Sequence, residues 1–260
     1  MSQNETMLYS LKETGEFLAN YCAWLLGSGS TCIRLEKNVA RMAQIFGVKV
    51  QTFIMPRHVE VSLRDEEGNC LVISEQVVTI PIDFNINTSL SRLSWDISDK
   101  RMSLAEAESE FRKIISPGKD RTLTTSLLVS VANASFCRLF GGDPIAMVIV
   151  AIATFIGFRL KCTLMKRGID SRLVFFVCSF VSSVLGASDM LFSFGTTPAI
   201  ALGTSILYLV PGIPLLNSFS DLLYRHYICA AGRFMDALIL TCCLSAGLCL
   251  GMILMNAGMF

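Results

Sequence analysis

From Thr122 onward the chain is a succession of apolar runs, each near the roughly 20 residues that a helix needs to cross the hydrocarbon core of a bilayer. The runs fall at 123–140, 144–160, 172–191, 198–216 and 235–258 and predict five transmembrane helices. Nothing constrains the fold more. Lipid offers no partner for a backbone N–H or C=O, so a spanning segment must satisfy its own peptide groups as a helix or a closed barrel. Charge divides the chain at the same place: residues 1–121 carry 14 Lys and Arg against 16 Asp and Glu, whereas 122–260 carry 8 and 5. With 52% hydrophobic residues the whole is too apolar for an average soluble domain and too dilute for a purely membrane one, as a split chain requires. The expected organisation is a water-exposed domain over 1–121 followed by a five-helix membrane domain over 122–260.

The first part reads as α+β. Helical patterns over Tyr9–Leu26 and Ser30–Phe46 are separated by "GSGS", whose glycines and serines suit a C-cap followed by an N-cap. Three β-like stretches follow: "VKVQTFIM", "HVEVSLRD" with its alternating apolar residues, and "CLVISEQVVTI". A polar helix with Arg92 and Trp95 comes next, then a capping box at Ser103–Glu106 opens a helix that "SPG" at 116–118 stops. The polar start "MSQNETMLYSLKETGE" lacks the basic end and apolar core of a secretory signal, so this part is expected in the cytoplasm with reduced thiols.

Several functions drop out on composition. A net charge of +1 without a basic stripe excludes nucleic acid as a partner. The ten cysteines are scattered, with only Cys242 and Cys243 adjacent, and none shows zinc or CxxC spacing, so no metal site and no cofactor are expected. His58 and His226 have no companions at catalytic spacing, and no nucleophile elbow or phosphate loop is present, so the chain does not read as an enzyme.

Cytoplasmic loops carry the excess of Lys and Arg. On one side of the expected spans stand Lys119, Arg121, Arg159, Lys161, Lys166, Arg167, Arg172, Arg225 and Arg233, and on the other only Arg138. This predicts a cytoplasmic N-terminal domain and a C-terminus on the periplasmic or extracellular face. An odd number of spans would let a homologous partner polypeptide supply the second, oppositely oriented half of a transporter, although five spans also suit receptors and enzymes.

The stretch "LYLVPGIPLLNSFSDLL", Leu207–Leu223, places two prolines and a glycine inside the fourth run. Irregular backbone at membrane depth is tolerated where it is buried in protein or lines a hydrated cavity. The span is therefore expected to break at PGIP into two half-helices whose free peptide groups hold a polar solute. The alternative is a proline kink that only shapes packing. Pro211, Gly212 and Asn217 are the candidate substrate contacts, with Asn133 of the first span as a fourth. Asp221 shares a helical face with Asn217 and is a candidate carrier of a coupling proton, or else a solvated end residue. Asp189 and Asp236 read as boundary residues, and Gly247 and Gly251 as a GxxxG packing surface.

Three stretches together resemble the threonine/serine exporter family: "TTPAIALGTSILYLVPGIPLLNSFSDLL" at Thr196–Leu223, "ASFCRLFGGD" at Ala134–Asp143 and "GSGSTCIRLE" at Gly27–Glu36. The chain is most similar to the stand-alone, five-span large subunit of the family's split form, over nearly its whole length. The membrane pattern maps onto Pro211, Gly212, Pro214, Asn217 and Asp221, and the soluble motif onto Gly27, Arg34 and Glu36. The resemblance implies a secondary exporter of the bacterial inner membrane. Fused members export threonine and serine on the proton motive force, whereas a split member exports succinate together with a small membrane subunit. The second membrane module of the fused form is missing here, which implies a separate small subunit as partner beside the lipid bilayer and the small-molecule substrate, with a homo-oligomer left open. The competing expectation is a membrane-anchored ligand sensor without transport activity.

Overall fold

The computed structural model describes residues 3–65, 67–116, 122–192 and 195–255. The stop at Pro117 and Gly118, the basic residues Lys119 and Arg121, and the end of the last expected span at 256–258 lie outside them. Two compact units emerge, one of Met1–Gly118 with Ile213–Met235, the other of Lys119–Gly212 with Asp236–Phe260. A boundary near residue 121 was expected, but the first unit also takes in a return segment, Ile213–Met235.

In the first unit, α1 (Gln3–Gly27) and α2 (Cys32–Ile45) precede three strands, β1 (Lys49–Ile54), β2 (His58–Arg64) and β3 (Cys70–Gln76). They form an antiparallel sheet in the order β1-β2-β3, with Val61 opposite both Thr52 and Ile73. The alternation read from "HVEVSLRD" appears as one buried face, Val59, Val61 and Leu63. Helix α1 rests on this face so closely that a Cβ at Gly15 would lie 2.6 Å from Leu63 Cδ1. The core continues through Leu18, Tyr21, Leu35 and Met42 to Leu90, Ile97 and Phe111 of α3 (Phe84–Lys100) and α4 (Leu104–Ile115). The Tyr21 hydroxyl donates to Leu90 O at 2.9 Å and accepts from Asn38 Nδ2 at 3.0 Å, so this buried phenol is paired. Asp83 caps α3 through the amides of Asn85 and Ile86, and the capping box at Ser103 and Glu106 is complete.

The second unit holds α5 (Thr122–Leu139), α6 (Pro144–Lys166), α7 (Ser171–Gly186), the short α8 (Ser188–Phe192) and α9 (Pro198–Ser205). A 3-10 turn at Leu207–Leu209 follows, then α10 (Gly212–Leu223) and α11 (Tyr227–Leu254), both of which run into the first unit. Its helices are inside-out by soluble standards. On α5, Ser126, Ser130 and Asn133 are buried while Leu127, Leu128 and Val131 are exposed, the arrangement a helix adopts when its outer solvent is lipid. Among the described residues three helices are long and apolar enough to cross a membrane, Pro144–Lys166, Ser171–Met190 and Tyr227–Leu254. A fourth follows if Pro198–Leu209 and Gly212–Leu223 are one interrupted span. The five expected spans thus stand at three or four by length and apolarity, because Arg138 and many Ser and Thr dilute α5.

Candidate functional site

The loop between α1 and α2 sits at the centre of the first unit's polar chemistry. Gly27 has no room for a side chain, since a Cβ there would collide with Val78 O. Gly29 adopts φ +95°, a left-handed conformation that favours glycine. This tight turn displays carbonyls and an amide to the return segment. Gly29 O accepts from Asn217 Nδ2 at 2.8 Å, and Ser30 O accepts from Arg233 Nη2 at 2.7 Å. The amide of Cys32, the first residue of α2, donates to Asp221 Oδ1 at 2.9 Å.

Thr31 occupies the N-cap of α2 without making a side-chain cap. Asp221, 189 positions beyond Cys32, supplies an acceptor there and sets a negative charge at the positive end of the helix. Its side chain is fully buried, and Oδ2 lies 3.2 Å from Arg233 Nη1. Neither of those two atoms has a hydrogen-bond partner, so the ionic contact is what compensates each. Around this pair, Arg34 Nη1 donates to Asn87 Oδ1 at 2.8 Å, and Asn87 Nδ2 donates to Ser28 Oγ at 3.2 Å, which braces the loop from α3. Glu36 Oε2 stands 3.4 Å from His226 Nε2. Ser218 Oγ donates to Ala230 O at 2.7 Å and ties α10 to α11. The neighbouring Cys229 thiol together with burial raises the Cys32 thiol.

The two separated motifs thus meet. Asn217 and Asp221 share a helical face, as their spacing predicts, and that face is occupied by backbone groups of the 27–32 loop. Sequence reasoning counted Arg233 only as a loop charge and His226 as a lone imidazole. The available signal was a polar face on α10, Asn217, Ser218 and Asp221, opposite the exposed Leu216, Phe219 and Leu223.

In the second unit the interruption of the fourth run is local. Helical bonding stops after Ser205, the 3-10 turn carries the chain to Leu209, and α10 starts at Gly212. The Gly212 amide bonds back to Val210 O at 2.8 Å across Pro211, a three-residue turn that satisfies the donor on the far side of the proline. Pro211 thus stands between the 3-10 turn and α10. Pro214 lies in the first turn of α10, where its missing N–H costs nothing.

Asn133 is buried and donates through Nδ2 to Thr154 Oγ1 at 2.6 Å and to Thr204 O at 3.0 Å, a carbonyl at the end of α9 that the interruption leaves over. Nearby, Tyr208 of the 3-10 turn exchanges a 2.9 Å hydrogen bond with Ser182 over Gly157, where any Cβ would strike the Tyr208 hydroxyl. Buried polar groups thus sit among the apolar clusters of this unit, while Gly212 has open space at its Cβ position. Among the described residues no group of His, Cys, Asp and Glu is placed to hold a metal ion.

Comparison with known proteins agrees with the motifs. A sequence profile of the family described as "Putative threonine/serine exporter" matches residues 16–255. The chain is 25% identical over 233 residues, 89% of its length and 90% of the relative's, to a Klebsiella aerogenes protein named "Probable succinate transporter subunit YjjP". An Escherichia coli K12 protein of the same name is 23% identical over 219 residues, 84% of this chain and 85% of the relative. No solved structure matches.

Proposed function

The chain belongs to the threonine/serine exporter family, and from that premise we propose that it is the large subunit of a two-subunit, proton-coupled exporter of small carboxylate-bearing metabolites. The observation that carries this reading is the meeting of the Gly27–Glu36 loop with Asn217, Asp221 and Arg233 in one buried, ion-paired cluster. Residues far apart in sequence that combine into such a cluster fix a specific geometry rather than a generic hydrophobic contact.

In this proposal five helices cross the bacterial inner membrane, α5 among them on the strength of its buried serines and exposed leucines. The N-terminal unit faces the cytoplasm, and the C-terminus lies on the periplasmic or extracellular side. Pro211, Gly212 and Asn133 form the substrate locus, in the polar interior where α9 gives way to the 3-10 turn. Succinate, threonine and serine all carry a carboxylate, which suits the amide-rich start of a half-helix. Asn217 and Asp221 act at the loop. Protonation of Asp221 removes the charge that pairs with Arg233 and caps α2, and so loosens Ile213–Met235 from the loop when a proton is taken up. A small membrane protein of the same family supplies the second half of the pathway, in keeping with the relatives' designation as subunits.

Cells that overproduce this chain together with the small membrane protein of the same family are expected to accumulate succinate, threonine or serine in the medium several-fold above cells making either alone. Identical medium concentrations in all three strains would refute the two-subunit exporter.

A second reading, a membrane-anchored sensor, has one observation in its favour. A groove of about 610 Å³ on the first unit, lined by Glu36, Val39, Phe53, Glu60 and Val72, is of ligand size. Ligand binding there without any export would select it.

A further inference from the structure

Asp189 stands apart from every group discussed so far. It is 1% exposed. One oxygen, Oδ1, accepts the Gly195 amide at 2.7 Å, and the other, Oδ2, has no hydrogen-bond partner. Asp143, the N-cap of α6, is by contrast well supplied with donors. Its Oδ1 accepts the Ala146 amide at 2.6 Å, and its Oδ2 accepts both the amide and the hydroxyl of Thr196. The backbone amides of Ala146 and Thr196 hold the Asp143 carboxyl below the usual carboxylate range.

The two Oδ2 atoms converge over Gly195. A Cβ built on that glycine would lie 2.7 Å from Asp143 Oδ2 and 2.9 Å from Asp189 Oδ2, so the oxygens are at most about 5.6 Å apart, the sum of the two distances. The absence of a side chain keeps the space between them open. Two carboxylates this close do not both ionise readily, and a buried carboxylate without counter-charge is costly. No cation offsets the pair among the described residues. Arg138 of α5 is the nearest candidate by sequence, and its Nη1 donates to Gly142 O at 3.1 Å instead. From α9 and α11 the neighbours of Ala187 and Met190 are Leu202, Leu248 and Met252, and the one titratable group on that part of α11, Cys249, is exposed.

We propose that Asp143 and Asp189 form a proton-binding dyad that holds one proton, carried on Asp189 Oδ2 and donated toward Asp143 Oδ2 directly or through one water. Uptake takes the proton from water and forms the O–H bond on Asp189. Release returns it to water and leaves two carboxylates, whose repulsion and the burial of Asp189 oppose that state. The division of labour follows from the donors: Asp143, with three of them, stays ionised, and Asp189, with one, is the acid. The dyad depends on the exporter reading only for its use as a second coupling site. Its occupancy by a proton stands on the geometry.

Infrared spectroscopy of the purified full-length protein in detergent tests this. The wild type is expected to show the carbonyl stretch of a protonated, buried carboxylic acid at neutral pH, and Asp189→Asn to lose it. Asp143→Asn removes the neighbouring charge and should move the disappearance of the band to lower pH. Since Asn mimics the protonated acid, Asp189→Asn should also leave the thermal midpoint at neutral pH within about 2 °C of wild type, on the usual scale for a substitution that creates no new buried charge. A wild-type spectrum without the band at neutral pH, a band that survives in Asp189→Asn, or a band that responds to sodium and not to pH would overturn the dyad. The readout needs no substrate, so failure of export with the band intact bears on the exporter reading alone.

Discussion

Arg233→Ala is expected to lower the thermal midpoint of the full-length protein by on the order of 10 °C. Removing one member of a buried ion pair leaves the other charged and uncompensated, at about 3–5 kcal/mol, and 1 kcal/mol moves the midpoint of a protein this size by roughly 2–4 °C. The lower end of the range applies because Arg233 is 18% exposed while Asp221 is fully buried. The variant also loses the bond to Ser30 O, so one of the three hydrogen bonds between the return segment and the loop goes together with the ion pair. Combining it with Asp221→Leu removes the stranded carboxylate and should recover part of the loss, though not the remote cap that Asp221 gives α2. Differential scanning in detergent reads both. A midpoint for Arg233→Ala within 2 °C of wild type would show that the pair does not hold the segment.

The second large effect is expected at Gly247. A Cβ there would collide with Phe176 O and would stand 3.0 Å from both Phe180 N and Ser179 Cβ, so the obstacle is largely backbone of α7 and cannot rotate away. One turn on, a Cβ at Gly251 would strike the Ser183 hydroxyl. Ser179 Oγ donates to Leu244 O at 2.6 Å across the same surface, an interhelical bond possible only because the backbones approach closely. Gly247→Ala already forces α7 and α11 apart, and Gly247→Leu adds more volume than a packed interface absorbs, typically 1–3 kcal/mol and more where backbone must move. Size-exclusion profiles should show Gly247→Ala reduced and Gly247→Leu largely lost from the folded peak. A wild-type profile for the leucine variant would mean that the two helices do not pack through this glycine.

What could be read from the residues alone was what local chemistry decides. The strands emerged where "VKVQTFIM", "HVEVSLRD" and "CLVISEQ" alternate, and the Ser103–Glu106 box opened α4 as its spacing requires. The stop in helical bonding between Ser205 and Gly212 falls inside the run that carries both prolines. The hydrogen-bond pattern sets the two prolines apart, since Pro211 stands between the 3-10 turn and α10 while Pro214 sits in the tolerant first turn of that helix. Long-range pairings left no trace in composition. The Cys32 amide and Asp221 are 189 residues apart, and α10 carries the pattern of a helix that buries its polar face in one place and presents Leu216 and Phe219 in another. A hydropathy window averages those two faces and reports only a span. The same averaging works against α5, whose buried serines dilute its exposed leucines. Asp189 read as an end residue because sequence position cannot show that a carboxylate is enclosed, nor that Asp143 faces it across Gly195.

The measurement closest to the central claim is efflux from proteoliposomes that contain this chain and the small family subunit, preloaded with succinate, threonine or serine. Export is expected only with both subunits present, faster with an imposed inward pH gradient, and with that acceleration flattened in Asp221→Asn. Efflux equal to that of protein-free vesicles under every gradient would contradict the account.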